Sequence, residues 1–301
     1  MRNATTVLPA LALTLNALIW GTSWWPFRRL QALGLHPLWA TVVVYLVAVA
    51  VIGILRPRAF AQVLRTPALW VLVLASGATN AAFNWAVVIG DVVRVVLLFY
   101  LMPLWTVLLA RVLLDEPLTR AAGLRVALAL CGAAIVLWPA GAGPATGWDA
   151  LPLPRALPDW LGVVGGFSFA LNNVMLRREA RQPDAGRALA MFIGGALVAG
   201  TLACTLAATS QLPWPPAAAP AWVGVALALA LLFLLSNLAL QFGAARLPAN
   251  VTSVVMLAEV VFASASSLLW GDGRLTLPLL AGGSLIVLAA VRAATRPAAG
   301  H

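Results

Sequence analysis

The stretch NAAFNWAVVIGDVVRVVLLFYLMPLWTVLLARVLLDEPLT (residues 80–119) has a counterpart in NLALQFGAARLPANVTSVVMLAEVVFASASSLLWGDGRLT (residues 237–276), and the two align without gaps at an offset of 157. Asn80 falls on Asn237, Asn84 on Gln241 and Asp115 on Asp272. Leu118–Thr119 falls on Leu275–Thr276, while Met102 meets Glu259 and Pro103 meets Val260. Apolar segments match one another cheaply, so only the polar coincidences carry weight. Their agreement in register points to a duplicated unit.

Around these copies the chain is almost wholly apolar. Its 301 residues are 62% hydrophobic and 9% charged, with a mean hydropathy of +0.97. A soluble domain would carry about a quarter charged residues, so the solvent for most of this surface must be lipid. A spanning helix needs roughly 20 mostly apolar residues. Ten such runs can be marked, at 7–27, 37–55, 68–89, 93–113, 120–138, 159–177, 187–208, 220–243, 249–269 and 275–294. Pro and Gly punctuate the turns between them, as at Pro37, Pro57, Pro67, Pro117, Pro183 and Pro248. The first run leads into Trp24, Trp25, Arg28 and Arg29 rather than a small-residue cleavage site, so it is expected to be a retained helix. Cys131 and Cys204 both fall inside apolar runs, which argues against a disulfide framework.

The fold expected is therefore all-α and integral to the membrane, with ten transmembrane helices as two five-helix repeats. The repeats occupy 7–138 and 159–294, joined by a periplasmic loop at 139–158. Five is odd, so the second copy runs upside down relative to the first. Orientation follows from the basic residues, every one of the 19 an Arg. With the N-terminus cytoplasmic, 14 lie on the cytoplasmic side, against Arg28, Arg29, Arg94, Arg155 and Arg274 opposite. That bias predicts both termini inside, and explains the net charge of +10 without a nucleic-acid partner. Inverted repeats are an architecture of secondary transporters, with substrate near the midplane between the halves.

Polar side chains inside a span are costly and turn toward the bundle interior. Asn80 and Asn84, Ser168 and Asn172, and Asn237 and Gln241 are each four apart, a spacing that puts each pair on one helix face. They are read either as interhelical hydrogen bonds or as the wall of a polar cavity, and three such stripes favour the cavity. Glu259 is the one acid in the middle of any span, with no Arg at its depth. It is a candidate for proton coupling or for binding a substrate amine. The plainer reading is a permanently protonated Glu bonded to an amide neighbour. Of the 13 Trp, most lie at span ends, where amphipathic rings prefer the interface. Trp20 and Trp24 lie deeper, four apart beside Asn16, as do Trp85, Tyr100 and Trp105. An aromatic-walled cavity with amides suits a zwitterion with an apolar or aromatic side chain, or an aromatic cation. Pro26 and Pro103 each free a backbone carbonyl and would kink their helices. Gly194–Gly195 with Gly200, and Gly282–Gly283, are expected to allow close helix contact, as at a homodimer interface.

LIWGTS (18–23) followed by an Arg pair resembles the opening of the EamA family of the drug/metabolite transporter superfamily. FYLMPLWTVLLARVLLDEPLT (99–119) and its echo VVMLAEVVFASASSLLWGDGRLT (254–276) are similar to that family's paired motifs. The chain departs from the pattern at Val260, where the family often has Pro after the Glu, and at Gly273, where it has Glu. The resemblance implies that helices one, three, four, six, eight and nine line a central site. It also implies that relatives export amino acids or other metabolites.

The function expected is secondary transport of a small metabolite such as an amino acid, in the export direction, across a bacterial inner membrane by alternating access. The site would comprise Trp20, Trp24, Asn80, Asn84, Tyr100, Pro103, Asn172, Asn237, Gln241 and Glu259. The competing classes are an integral-membrane enzyme and a non-transporting sensor or scaffold. The only histidines are His36 and His301, and no metal spacing, phosphate loop or nucleophile–base pair is present. No catalytic residue, metal or cofactor is therefore expected.

Overall fold

A computed structural model of the chain describes residues 4–115, 120–137, 153–179, 181–244, 255–256, 258–271 and 275–295. Among these residues the regular structure is helical, with no strand. In order the helices are α1 (Ala4–Thr22), α2 (Trp24–Ala32), α3 (Pro37–Leu55), α4 (Arg58–Arg65), α5 (Pro67–Ile89), α6 (Val92–Phe99) and α7 (Met102–Leu113). There follow α8 (Arg120–Leu137), α9 (Leu157–Arg178), α10 (Asp184–Ala208), α11 (Pro220–Ala244), α12 (Ala258–Trp270) and α13 (Leu277–Thr295). Helix occupies the described part of every apolar run marked above, apart from Ser23, Tyr100–Leu101 and Leu275–Thr276. Most of the loop expected at 139–158 lies outside the described residues, and α9 begins at its end.

Among the described residues, six helical segments are long and apolar enough to cross a bilayer: Val7–Ala32, Pro37–Leu55, Pro67–Ile89, Val92–Leu113, Asp184–Ala208 and Pro220–Leu240. Their outward faces are apolar; Ile54 is 80% exposed and Val112 75%. In water such a surface would drive aggregation, whereas in hydrocarbon it is the matched face. Between α3 and α5 the short α4 buries Ala59 and Val63, four apart, and exposes Arg58 and Arg65.

Several helices start where the local chemistry directs. Pro37 and Pro67 open α3 and α5 at the first helical position, where a missing N–H is harmless. His36 caps α3, its Nδ1 accepting from the Leu38 N–H at 3.2 Å. Prolines also divide two segments. Pro26 has no N–H for the Thr22 carbonyl, and the first segment breaks at Ser23, whose hydroxyl donates back to Trp20 O at 2.8 Å. Pro103 has none for Phe99, and the chain turns at Tyr100–Leu101 before α7 begins. The kink expected at Pro103 is thus a full break two residues ahead of it. Pro103 itself sits in the first turn of the new helix.

α5 lies against α9 and α10, α3 against α10 and α11, α1 against α11 and α12, α9 against α6 and α7, and α8 against α13. Exchange α1 with α9, α3 with α10, α5 with α11, α6–α7 with α12 and α8 with α13, and the same set of neighbours returns. The offset of 157 carries 102–113 of α7 onto 259–270 of α12, and 120–137 of α8 onto 277–294 of α13.

Glycines set the closest approaches. A Cβ on Gly194 of α10 would overlap the Val73 carbonyl oxygen of α5, and one on Gly195 would overlap the Tyr45 ring of α3. A Cβ on Gly132 of α8 would meet Gly282 O of α13 at 2.5 Å. Gly194, Gly195 and Gly282, expected from sequence to allow close helix contact, do so between helices of the one chain. Gly200 differs, because its Cβ would find only Val42 Cγ2 at 3.5 Å, an ordinary contact.

Two outcomes follow from this packing. Gly194→Ala should lower thermal stability in detergent by about 1–3 kcal/mol or abolish folded yield, while Gly200→Ala should be neutral or slightly stabilising; equal effects would contradict the interhelical contact. Burial pushes the His36 imidazole down to about 4 from an ordinary 6.5. Its neutral form, the one able to cap α3, is favoured in the fold, so its stabilisation is complete above pH 6.5 and declines as pH falls toward 4. His36→Asn, a cap that does not titrate, should flatten that part of a melting-temperature profile.

Candidate functional site

The walls of one internal cavity are drawn from eight of the helices named above. α1 supplies Asn16 and Trp20, α3 Tyr45, α5 Ser76, Thr79, Asn80 and Phe83, and α6 Phe99. α9 adds Phe169 and Asn172, α10 Met191 and Phe192, α11 Phe233, Asn237 and Leu240, and α12 Glu259, beside Met256. α8 and α13, which pack on each other, contribute nothing. The cavity holds about 80 Å3, room for several waters or a small polar group by the usual threshold of about 10–15 Å3 per water.

Its apolar wall is a run of aromatic contacts. Trp20 stacks on Phe233 at 4.7 Å and meets Phe83 edge-on at 6.1 Å. Phe83 continues to Phe99 at 5.0 Å and Phe99 to Phe169 at 5.2 Å. On the other side Tyr45 packs against Phe192 at 5.4 Å and Phe233 at 5.9 Å. Each ring fixes its neighbour's orientation, so the wall is preformed.

The polar groups divide into those committed to the protein and those left over. Tyr45 donates its hydroxyl to Asn80 Oδ1 at 2.6 Å, and Asn80 Nδ2 donates to Ser76 O at 2.8 Å. Asn80 is therefore a structural link between α3 and α5 that also faces the cavity. Asn84, one turn on, is fully buried and does not reach the cavity; its Nδ2 donates to Thr41 Oγ1 at 3.1 Å. Asn16 Nδ2 donates to Ser236 O at 3.0 Å and to Ser236 Oγ at 2.6 Å, which tethers α1 to α11. Because Ser236 O can only accept, the amide orientation is determined, and Asn16 Oδ1 is left buried without a partner. Asn172 Oδ1 is likewise buried and unpartnered.

Glu259, 6% exposed, lies in the first turn of α12. Tyr100 reaches it from the break between α6 and α7, its hydroxyl 3.1 Å from Glu259 Oε2 and 3.2 Å from Met256 O. A phenol has one proton, so Tyr100 serves one of these acceptors at a time. The break that Pro103 enforces thus delivers a donor to the carboxylate.

The structure brings Trp20, Asn80, Asn172, Asn237 and Glu259 together around one space, with Tyr100 touching it through Glu259. It separates Trp24, whose Nε1 donates to Ser266 Oγ at 2.9 Å and whose ring lies under Arg28 at 4.9 Å. Trp24 faces a second depression at the α2 end, shared with Trp25, Arg28, Arg29, Trp270 and Gly271. The side chains of Pro103 and Gln241 lie outside the described residues. Tyr45, Ser76, Thr79, Met191 and the five phenylalanines were not marked from sequence, since a lone aromatic on an apolar helix carries no signal of facing inward. At one end of the bundle Arg94 and Asp159 form a two-pronged ion pair at 2.7 and 3.0 Å, joining α6 to α9. Arg28 Nη2 donates to Gly90 O at 2.8 Å.

An all-helical bundle with apolar outer faces defines a multi-pass membrane protein, and the aromatic–amide cavity is its candidate site. Residues 7–138, a little under half of the chain, match the EamA-like transporter family. That segment is thus similar to membrane transporters of the drug/metabolite type. One solved structure, titled only "Crystal structure of protein", is 22% identical, covers 95% of this chain and 96% of its own, and superposes with a TM-score of 0.55. That likeness is one of fold alone, and it covers residues on both sides of position 138. No curated protein matched the chain.

The Tyr45–Asn80 link makes a direct prediction. Tyr45→Phe leaves Asn80 Oδ1 buried without its donor and should cost about 1–3 kcal/mol of stability. Tyr45→Phe combined with Asn80→Leu should recover part of that loss, measured as melting temperature in detergent.

Proposed function

We propose that this chain is a secondary transporter that exports small metabolites such as amino acids across a bacterial inner membrane. In this reading the ten apolar segments form two inverted five-helix repeats with both termini cytoplasmic. One repeat rocks against the other and exposes the central chamber to each side in turn. The observation that carries the proposal is the chamber itself, lined by α1, α3, α5 and α6 on one side and α9, α10, α11 and α12 on the other. Those two sets exchange under the pairing described above, and a site bounded by two such sets opens whenever they tilt apart. The register between 102–113 and 259–270 supports duplication. The Arg distribution supports the orientation.

In this orientation the Arg94–Asp159 pair lies at the periplasmic end and ties the two halves together there. Glu259 is the group placed to couple flux to protons, since its carboxyl alternates between the Tyr100 hydroxyl, a proton and substrate. Trp20, rather than Trp24, is placed to select the substrate's side chain, because only Trp20 lines the chamber.

Proteoliposomes holding purified protein test this reading. Glu259→Gln should abolish flux driven by a pH gradient while leaving downhill exchange measurable; an unchanged pH dependence would remove Glu259 from coupling. Trp20→Ala should weaken competition by aromatic amino acids more than competition by alanine, whereas Trp24→Ala should affect both alike.

A further inference from the structure

We propose that α4 is a binding surface for anionic phospholipid, with Arg56, Arg58 and Arg65 receiving the phosphate-bearing headgroup and Phe60 and Leu64 entering the acyl layer beside it. The inference does not depend on what the chamber carries.

α4 joins the spans Pro37–Leu55 and Pro67–Ile89 through links of two residues before it and one after it. Its eight residues reach about 12 Å, less than half of a hydrocarbon core of about 30 Å. It therefore stays at the boundary where those spans end. Side-chain spacing divides it into three faces. Ala59 and Val63, four apart, are buried, and Val63 belongs to the same apolar cluster as Leu72 of α5 and Leu189 of α10. Gly186 of α10 closes on this side, where an added Cβ would overlap Gln62 Oε1. Phe60 and Leu64, also four apart, are 40% and 69% exposed. The Phe60 ring lies over the end of α3, 2.7 Å from where a Cβ on Gly53 would stand. Arg58 and Arg65, seven apart, share the remaining face, and Arg56 adjoins them in the link; all three are exposed. One face on protein, one apolar and one basic is the form of a helix lying in a membrane interface.

Charge decides the headgroup. The sequence carries no Asp or Glu before Asp91. The ion pairs among the described residues are Arg94–Asp159, Arg178–Glu179 and Arg187–Asp184. Asp184 and Glu179, which lie at the start of α10 and just before it, thus face arginines of their own segment. Arg56, Arg58 and Arg65 are left as three guanidiniums without a protein acceptor among the described residues. A guanidinium fork matches two phosphate oxygens. A zwitterionic headgroup brings its own cation and gains less here. A free anion meets the arginines but gains nothing from Phe60 and Leu64.

The test measures lipid binding to full-length protein in non-ionic detergent at low ionic strength by native mass spectrometry. Phosphatidylglycerol is compared with phosphatidylcholine of the same chains. The former should bind about tenfold or more tighter, since each Arg beside an anionic surface contributes about a fivefold factor. Arg56→Gln, Arg58→Gln and Arg65→Gln should each cut that preference about fivefold, and the triple variant should remove it. The matching triple Arg→Lys variant should keep most of it, which separates charge from a structural role. Arg29→Gln, exposed at the other end of α3, should leave it unchanged. Leu64→Ser should weaken both lipids alike, and glycerol phosphate should not displace either. Equal binding of the two lipids overturns the proposal, as does a preference that survives the triple Gln variant or falls equally in Arg29→Gln. Displacement by glycerol phosphate, with Leu64→Ser silent, makes the site one for a free anion and overturns it too.

Discussion

A backbone carbonyl that loses its helical donor inside hydrocarbon must be covered by protein, and the centre of this molecule is arranged around one such carbonyl. Pro103 cannot donate to Phe99 O. That oxygen faces α9 at Gly166, where an added Cβ would overlap it. Only a residue without a side chain lets α9 close over the break. The same break ends α6 at Phe99 and turns Tyr100 toward α12, where its hydroxyl meets Glu259. A proline, a glycine and a tyrosine from separate parts of the sequence thus form one device, in which the break is tolerated because it is buried and useful because it aims a donor. The same division recurs at Ser23 and Pro26 in the first segment. There Gly21 lets α12 approach, an added Cβ falling 2.8 Å from Glu259 O.

Close helix approach through glycines has a second consequence. In lipid there is no hydrophobic gain from bringing two apolar helices together, so contact area and interhelical hydrogen bonds must hold the bundle. The α5–α10 contact through Gly77 and Gly194 supplies area. The Asn16–Ser236 and Tyr45–Asn80 bonds supply direction, each joining two helices at the cavity wall. The wall is therefore built from groups that also hold the fold together. Asn80 illustrates the overlap, since its carbonyl and amide are both committed while its edge still faces the cavity.

Much of this was legible in the sequence, for reasons that also explain what was not. Polar groups in apolar helices are rare enough to be informative, so Asn80, Asn172, Asn237 and Glu259 stood out, and the structure places all four at one cavity. Aromatic rings in apolar helices are equally at home facing lipid, so Phe83, Phe99, Phe169, Phe192 and Phe233 gave no signal. Trp24 shows the opposite failure. A spacing of four from Trp20 implies a shared face only on a continuous helix, and Ser23 ends α1 between them. Asn84 keeps its spacing from Asn80 yet is drawn to Thr41, a hydroxyl on a neighbouring helix that spacing along one helix cannot reveal. Expectations at Gln241 and Pro103 reach residues whose side chains the structure does not describe.

The two aligned segments, 80–119 and 237–276, differ at the position of the one acid described in the chamber wall. Two copies of a unit related by exchange would place two equivalent groups at every site facing the chamber, as Asn80 and Asn237 do. Met102, aligned with Glu259, is not among the residues that line the chamber. Glu259 is thus the single acid among the described lining residues, with the Tyr100 hydroxyl 3.1 Å from its Oε2. Met102 is not inert, for its sulfur lies 3.9 Å from Asn173 Nδ2, a contact that keeps α7 seated on α9. The chamber wall is thus uneven in its one acid, while the helix neighbours named above keep their exchange symmetry.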